Sequence, residues 1–139
     1  MNILYFTRTM GLGGTEKVIM QLCETMQDEF DKIVVCSCGG ENVAELEKLH
    51  IKHYEIDDIE NKSINVVLNT LKTLKTIIKN EKIDVIHTHH RMAALYVRLL
   101  MKFYNVKFIH TAHNTFYDKK LLTKYALDKS SVVAVGEMV

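Results

Sequence analysis

The chain has 139 residues, 47% of them hydrophobic and 25% charged, a length and balance that fit one globular domain with a substantial core. Its 18 basic and 17 acidic residues give a formal net charge of +1, so composition offers no electrostatic reason to expect a nucleic-acid partner. We expect neither a signal peptide nor a membrane span, because no apolar stretch approaches the roughly 20 residues that a span needs.

The three cysteines, Cys23, Cys36 and Cys38, are predicted to be small buried side chains in a reducing compartment. Cys36 and Cys38 would share one face of a strand, because successive strand residues alternate between faces. Three cysteines of this arrangement are too few to close a zinc site. We therefore expect neither a disulfide nor a cysteine-bound metal.

The first part of the chain is predicted to be strand, helix and strand. Residues 2–6 are a short apolar strand, residues 11–14 a glycine-rich turn, and residues 15–30 carry apolar side chains at helical spacing. Thr15 is the predicted N-cap of this helix. Residues 32–38 form a second strand without polar alternation, which indicates burial of both its faces.

The middle of the chain continues the alternation of helix and strand. The sequence predicts a short helix over 42–50, a third strand over 52–56 and the longest helix over 63–82. Ser63 is the predicted N-cap of that helix. One apolar face of it is formed by Val67, Leu71, Leu74 and Ile78.

The last part is predicted to be a strand over 83–89, a helix over 91–104, a strand over 106–113, a helix over 118–129 and a strand over 131–136. Strands that alternate with helices of this length pair in parallel through right-handed crossovers. The predicted fold is therefore α/β: an open, doubly wound, Rossmann-like parallel sheet in the order 3-2-1-4-5-6, with helices on both faces.

Ligands of such sheets bind beyond the carboxyl ends of the strands, at the switch between the first and fourth strands. That rule selects three loops, over residues 7–16, 87–91 and 111–117. In the first, the glycines of 11–14 allow close approach of the backbone, and the following helix N-terminus offers unpaired amides to a phosphate. A tight turn without a ligand explains the same glycines equally well.

Glu16 adds a negatively charged hydrogen-bond acceptor to this first loop. A carboxylate in the first helical turn suits the helix dipole and can accept hydrogen bonds from sugar hydroxyls, but it would repel a phosphate directly above it. It also stands where the dinucleotide fingerprint has its last glycine, and the lysine-containing ending of a P-loop is absent.

Five of the seven histidines lie in or directly before the other two loops: His87, His89, His90, His110 and His113. We predict no metal site there, because neither loop contains a carboxylate and an arginine stands where the metallo-hydrolase pattern needs an aspartate. His87 and His110 come early enough to be buried strand residues. His89, His90 and His113 are either partly buried hydrogen-bonding residues or the lining of a polar cleft for a hydroxyl-rich ligand.

Four segments, in this order, resemble the N-terminal domain of the retaining glycosyltransferases of the family 4 type, which have two Rossmann-like domains (the GT-B fold). They are "MNILYFTRTMGLGGTEKVI", "IDVIHTHH", "FIHTAHN" and "SSVVAVGEMV". The resemblance covers essentially the whole chain. It implies that residues 1–139 are the acceptor-side domain and that the C-terminal donor-binding domain is absent, so the isolated domain is expected to be inactive.

The resemblance also implies roles for single residues. Gly13 and Gly14 match the glycine pair whose amides approach the donor pyrophosphate. His113 matches the histidine beside the transferred sugar and is the predicted catalytic residue, which orients the sugar without transferring a proton. Gly136 departs from the family, which usually has serine there. The predicted acceptor-binding residues are Glu16, His89, His90, Asn114 and Lys119.

The implied reaction transfers a sugar from a nucleotide-sugar to a hydroxyl acceptor, a glycan or a lipid-linked molecule, in polysaccharide or glycoconjugate synthesis. It retains the anomeric configuration and needs no metal or other cofactor. The expected location is the cytoplasm, with a peripheral membrane contact suggested by mixed basic and apolar residues over 98–107 and 118–129. The same pattern is also typical of helices that cover a sheet and expose their lysines.

Three other functions remain open at this point. The chain could be a nucleotide-binding module without transferase activity, a histidine-rich metal-dependent hydrolase, or a non-catalytic interaction domain. The incomplete glycine fingerprint argues against the first, and the missing carboxylates argue against the second.

Overall fold

The computed structural model describes residues 1–112 and 131–134 of the chain. Its strands are β1 (Asn2–Phe6), β2 (Lys32–Ser37), β3 (Lys52–Glu55), β4 (Val85–Thr88), β5 (Lys107–Ala112) and β6 (Ser131–Ala134). Its helices are α1 (Gly14–Thr25), α2 (Val43–Lys48), α3 (Ile64–Asn80) and α4 (Arg91–Leu100). The helix predicted over 118–129 lies outside the described residues, as do His113, Asn114, Lys119 and Gly136.

All six strands form one parallel sheet in the order β3-β2-β1-β4-β5-β6. This confirms the predicted α/β fold and its strand order. Phe6, at the end of β1, is in register with Cys36 of β2 and Thr88 of β4. The carboxyl ends of these strands therefore meet at one edge, and the order reverses between β1 and β4.

The core lies on both faces of the sheet. Leu4 and Phe6 of β1 point to the side covered by α3 and α4, and Ile3 and Tyr5 point to the side covered by α1. In β2, residues 33–37 are all buried, which confirms the prediction that both of its faces are covered. None of the described helices combines the length and apolarity required to cross a membrane.

Helix α1 differs from the sequence-based prediction at both ends, and α4 ends at Leu100 rather than at residue 104. The N-cap of α1 is Gly13, in extended conformation, so the prediction of Thr15 as the cap is wrong, and the cap lies two residues earlier. The helix also ends at Thr25 rather than at residue 30. In α3 the cap prediction is confirmed, because the Ser63 hydroxyl accepts the Val66 N–H at 3.4 Å.

The cysteines are free thiols, and Cys23 and Cys36 are buried as predicted. Cys38 is only half-buried because it lies just beyond the end of β2. Burial raises the pKa of the Cys23 thiol to about 12 and also raises that of Cys36. Both side chains therefore act as small apolar groups at neutral pH.

Candidate active site

The candidate site lies beyond the carboxyl ends of β1 and β4. Main-chain hydrogen bonds between the loop after β1 and the loop after β2 hold this part of the chain in place. The Cys38 N–H donates to the Arg8 carbonyl at 2.8 Å, and the Met10 N–H donates to the Gly39 carbonyl at 2.9 Å. The loop after β1 is thus held against the loop after β2, so that the glycine turn keeps a fixed position at this edge.

Gly40 makes this close contact of the two loops sterically feasible. Its φ is +147°, and a Cβ at this position would lie 2.4 Å from the Met10 carbonyl carbon. Any side chain here would push the two loops apart. Gly40 was not predicted from the sequence, because the contact it allows joins residues thirty positions apart along the chain.

The glycine turn itself is shaped by Glu16. The Glu16 carboxylate folds back over the turn and accepts the Thr9 hydroxyl at 2.9 Å. A Cβ on Gly13 would lie 3.1 Å from Glu16 Oε1, whereas a Cβ on Gly14 would meet no atom within 4 Å. Glu16 therefore lies against Gly13 and leaves Gly14 open at the N-terminus of α1.

His90 is the N-cap of α4 and has both ring nitrogens engaged. Its Nδ1 accepts the Met92 N–H at 3.1 Å, and its Nε2 lies 3.0 Å from Glu60 Oε1. Burial lowers the pKa of His90 to about 4, although the Glu60 carboxylate opposes that shift. The ring is thus neutral at pH 7, and its proton is on Nε2, facing Glu60.

Arg8 and Asp58 form a two-pronged ion pair next to this histidine. Arg8 donates from Nε and Nη2 to the two carboxylate oxygens of Asp58, each at 2.8 Å. The guanidinium holds the pKa of Asp58 at about 2. Asp58 also accepts the Glu60 N–H at 3.0 Å, and Glu60 lies 3.9 Å from Arg91 Nη2. These five residues (Arg8, Asp58, Glu60, His90 and Arg91) form what we call the rim network.

Four members of the rim network, Arg8, Asp58, Glu60 and Arg91, were not among the site residues predicted from the sequence. Arg8 and Arg91 lie in two of the loops that the carboxyl-end rule selected, and Asp58 and Glu60 follow β3, where the same rule could have found them. The predicted site was limited to the loops after β1, β4 and β5 and did not include the segment after β3. The pairing of Arg8 with Asp58 also spans fifty positions of the chain and has no local pattern.

His87 and His89 lie beneath the site rather than at its surface. Both are buried on the α1 side of the sheet, with their ring centroids 4.2 Å apart and with Tyr5 beside them. His87 Nε2 is 2.6 Å from the Thr111 hydroxyl oxygen. The expectation that His87 is a buried strand residue is confirmed. The acceptor contact of His89 stays a prediction, and in this arrangement the ring faces the interior.

His110 is buried on the opposite side of the sheet. Its Nδ1 is 2.7 Å from the hydroxyl oxygen of Thr88, which joins β5 to β4. This confirms the expectation that His110 is a buried strand residue. Within residues 1–112 and 131–134, no group of three His, Cys, Asp or Glu side chains is placed to hold a metal ion.

Of the predicted site residues, the structure brings Gly13, Gly14, Glu16, His89 and His90 to one edge of the sheet. Glu16 and the rim network supply hydrogen-bond acceptors and donors there, and Gly14 supplies an open helix N-terminus. Such an edge can hold hydroxyl groups beside an anion.

Comparison with known proteins identifies a family and several structures that this chain resembles. The sequence profile of Glycosyltransferase Family 4 matches residues 12–136. A glycosyltransferase from Rickettsia africae ESF-5 is similar in structure, with a TM-score of 0.76 and 27% identity, over 96% of this chain and 36% of that one. Comparison with curated proteins gives no match.

Two further structures share the fold at lower identity. Alr3699/HepE from Anabaena, in complex with UDP, has a TM-score of 0.69 and 15% identity over 96% of this chain and 37% of that one. MurG from Acinetobacter baumannii has a TM-score of 0.68 and 13% identity over 99% of this chain and 42% of that one. This chain thus spans less than half the length of each of these three structures. Because the family profile covers most of the chain, the protein belongs to glycosyltransferase family 4.

Proposed function

We propose that this chain is the acceptor-side half of a retaining glycosyltransferase that moves a sugar from a nucleotide-sugar to a hydroxyl acceptor. Membership of family 4 supports the activity, and HepE, a structural neighbour, is known in complex with UDP. The chain spans only 36–42% of the length of its neighbours, which supports a second, donor-binding domain that follows it in the whole protein. The acceptor is a glycan or a lipid-linked molecule of polysaccharide or glycoconjugate synthesis.

The open position at Gly14 is the observation that carries the donor side of this proposal. Nothing in the described chain requires a glycine there, because its φ is not in the left-handed region and a Cβ would meet no atom. A phosphate that approaches the first amides of α1 would require that space. The Gly13 and Gly14 amides would then stabilise the charge that develops on the leaving phosphate.

The part of the proposal that concerns acceptor binding is supported by Glu16 and by the rim network. The Glu16 carboxylate can accept hydrogen bonds from acceptor hydroxyls while Thr9 keeps it away from Gly14. His90 already uses both nitrogens, so it supports this edge through Glu60 and meets an acceptor only if that bond opens. Asn114 and Lys119 are proposed as acceptor contacts, and His113 as the residue that orients the sugar, on the family resemblance.

We place the whole enzyme in the cytoplasm, with peripheral contact to the inner face of the membrane and without a metal or other cofactor. The leaving phosphate is stabilised by hydrogen-bond donors, and the acceptor attacks from the same face of the sugar. In this scheme no side chain of the described residues transfers a proton.

Calorimetry tests whether binding of the nucleotide-sugar requires the second domain. The 139-residue chain and the whole two-domain protein are each titrated with UDP-, GDP- and ADP-sugars. We expect binding by the whole protein and no measurable binding by the chain, since only the glycine turn of the donor site lies here. Micromolar affinity for the chain alone would place the donor site on this domain and overturn the proposal.

A further inference from the structure

A polar cleft opens between the segment after β3 and helix α3. It has a volume of about 200 Å³ and is lined by Glu55, Ile56, Asp57, Asn69, Thr70 and Thr73. Most of these side chains are polar, and none of them is basic. Sites for drug-sized ligands have volumes of roughly 300–1,000 Å³, so this cleft suits a smaller polar molecule or one unit of a larger one.

The two carboxylates of the cleft have no cationic partner in the described part of the chain. Glu55 and Asp57 take part in none of the ion pairs found there. By contrast, the next carboxylate along the chain, that of Asp58, is held by its two-pronged pair with Arg8. Two negative charges that share one cleft repel each other, and a cation bound between them relieves that repulsion.

Thr70 adds a buried hydroxyl to the wall of the cleft. It is 1% exposed, and its Oγ1 forms no hydrogen bond with any described residue. Two other helical threonines, Thr25 and Thr76, donate to the carbonyl four residues earlier, at 2.8 and 3.0 Å. Burial raises the pKa of Tyr96, and the Thr70 hydroxyl opposes that rise. A buried hydroxyl without a hydrogen bond costs free energy, which favours a partner that enters through the cleft.

We propose that the cleft binds an amino sugar, with the protonated amine held between Glu55 and Asp57. The Asn69 amide and the threonine hydroxyls of the cleft bond the hydroxyls of the sugar ring. A neutral sugar leaves the two carboxylates without a counter-charge, and a phosphate is repelled by them. A bare metal ion fits less well, because no third His, Cys, Asp or Glu is placed with these carboxylates among the described residues.

The cleft lies at the same edge of the sheet as the candidate site. Glu55 is the last residue of β3 and is in register with Ser37, the last residue of β2. Neighbouring strands are about 4.8 Å apart, so the end of β3 lies roughly 10 Å from the end of β1. A glycan acceptor that contains an amino sugar can therefore occupy the cleft and the candidate site together. This role in acceptor recognition rests on the proposed function, whereas binding of the amine does not.

The experiment is an amide NMR titration of the 139-residue chain with glucosamine, N-acetylglucosamine and glucose. It is carried out at about pH 6.5, below the usual pKa range of amines. We expect glucosamine to bind, with shifts at residues 55–57 and 69–73 and with weaker binding at high salt. The other two sugars keep the ring but lack the charge, so they should bind at least about fivefold more weakly.

Two double variants test the carboxylates. Glu55→Gln/Asp57→Asn should weaken glucosamine binding by about fivefold to thirtyfold. Glu24→Gln/Asp28→Asn makes the same chemical change at exposed residues in α1 and just after it, on the other face of the sheet. This control should weaken binding by less than about twofold.

Thr70→Val tests the buried hydroxyl. It should weaken binding by about threefold or more. The melting temperature should stay equal or rise, because a methyl group replaces a buried hydroxyl that has no hydrogen bond. Circular dichroism confirms that each variant is folded.

The proposal is overturned if glucosamine does not bind, if glucose or N-acetylglucosamine binds as tightly, or if the shifts lie elsewhere. It is also overturned if the control variant loses as much binding as Glu55→Gln/Asp57→Asn, or if Thr70→Val melts at a lower temperature and binds normally. Sugar transfer by the whole protein is measured separately. Failure of the cleft to bind the amine therefore leaves the proposed function standing, and absence of transfer leaves amine binding standing.

Discussion

At the scale of single residues, the glycines at the carboxyl edge of the sheet are of two kinds. Gly40 is needed by the chain itself, because its backbone is left-handed and faces the Met10 main chain. The chain itself does not need a glycine at position 14, because a side chain there would meet no neighbouring atom. If the open space beside Gly14 accommodates a ligand, a side chain at Gly14 should impair function without lowering stability. A side chain at Gly40 should lower stability.

Gly40→Ala should lower the free energy of unfolding by about 2–4 kcal/mol, because the methyl group adds backbone strain and forces the loops after β1 and β2 apart. Urea denaturation followed by circular dichroism measures this change. A stability loss below about 0.5 kcal/mol would mean that the two loops are not in contact as described.

Gly14→Ala should leave stability equal or raise it by up to about 1 kcal/mol, since alanine is the better helix former and meets no neighbour. In the whole two-domain protein, the same change should reduce kcat/KM for the nucleotide-sugar by about tenfold to a hundredfold, by obstructing a phosphate at the helix N-terminus. Normal turnover in a stable variant would remove Gly14 from the donor site.

The pKa of His90 predicts how stability depends on pH. The unfolded chain protonates this ring near pH 6.5, but the folded chain does so only near pH 4, so folding favours the neutral form. Stability is therefore fully present above pH 6.5 and falls, by about 2–3 kcal/mol, as the pH is lowered to 4. Denaturation midpoints measured between pH 7 and pH 4.5 should show this decline.

His90→Asn should flatten that decline, because asparagine keeps an N-cap acceptor for the Met92 N–H but does not titrate. His50→Asn, which makes the same substitution at an exposed histidine, is the matched control. An equally steep slope in His90→Asn would show that His90 is protonated without difficulty in the folded chain.

At the scale of secondary structure, Glu81 shows how a residue unsuited to a helix end is accommodated. It is the C-cap of α3, where a carboxylate opposes the helix dipole. The Tyr54 hydroxyl donates to it, and Lys32 and Lys52 lie within 3.1 Å. Together these partners hold its pKa at about 2, the tyrosine contributing most, and they join the end of α3 to β2 and β3.

Tyr54→Phe should therefore raise the pKa of Glu81 and lower the free energy of unfolding at pH 7 by about 1–2 kcal/mol. The sign follows from linkage: the stabilisation is present above the ordinary glutamate pKa and disappears as the pH falls through about 2. Tyr104→Phe serves as the control. An equal loss in both variants would attribute the effect to packing rather than to the carboxylate.

The secondary structure could be predicted closely because its causes are local. The apolar spacing in 63–82 and the hydroxyl of Ser63 predicted α3 and its cap, and both are confirmed. The cap of α1 was missed because Thr15 is a good capping residue by type, yet the backbone of Gly13 already has the required extended conformation.

At the scale of the whole molecule, strand order and the edge that carries the site followed from the alternation of strands and helices. The residues at that edge and their contacts could be predicted from the sequence only in part. Glu16 was correctly located in the first turn of α1, but its hydrogen bond to Thr9 and its position over Gly13 depend on the path of the loop. The pairing of Arg8 with Asp58 depends on β1 and β3 being two strands apart in the sheet.

The edge described here is also half of a larger site in the proposed function. It supplies hydroxyl-binding groups and one helix N-terminus, whereas the nucleotide contacts would come from a following domain. The whole account therefore depends on the reaction that the two-domain protein catalyses.

The most direct test is proton NMR of the products when the whole protein is given nucleotide-sugars and hydroxyl acceptors, with and without a chelator. The account predicts transfer to the acceptor with the anomeric configuration of the donor retained, and with a rate unchanged by the chelator. An inverted product, a chelator-sensitive reaction, or the absence of transfer from every nucleotide-sugar would contradict it.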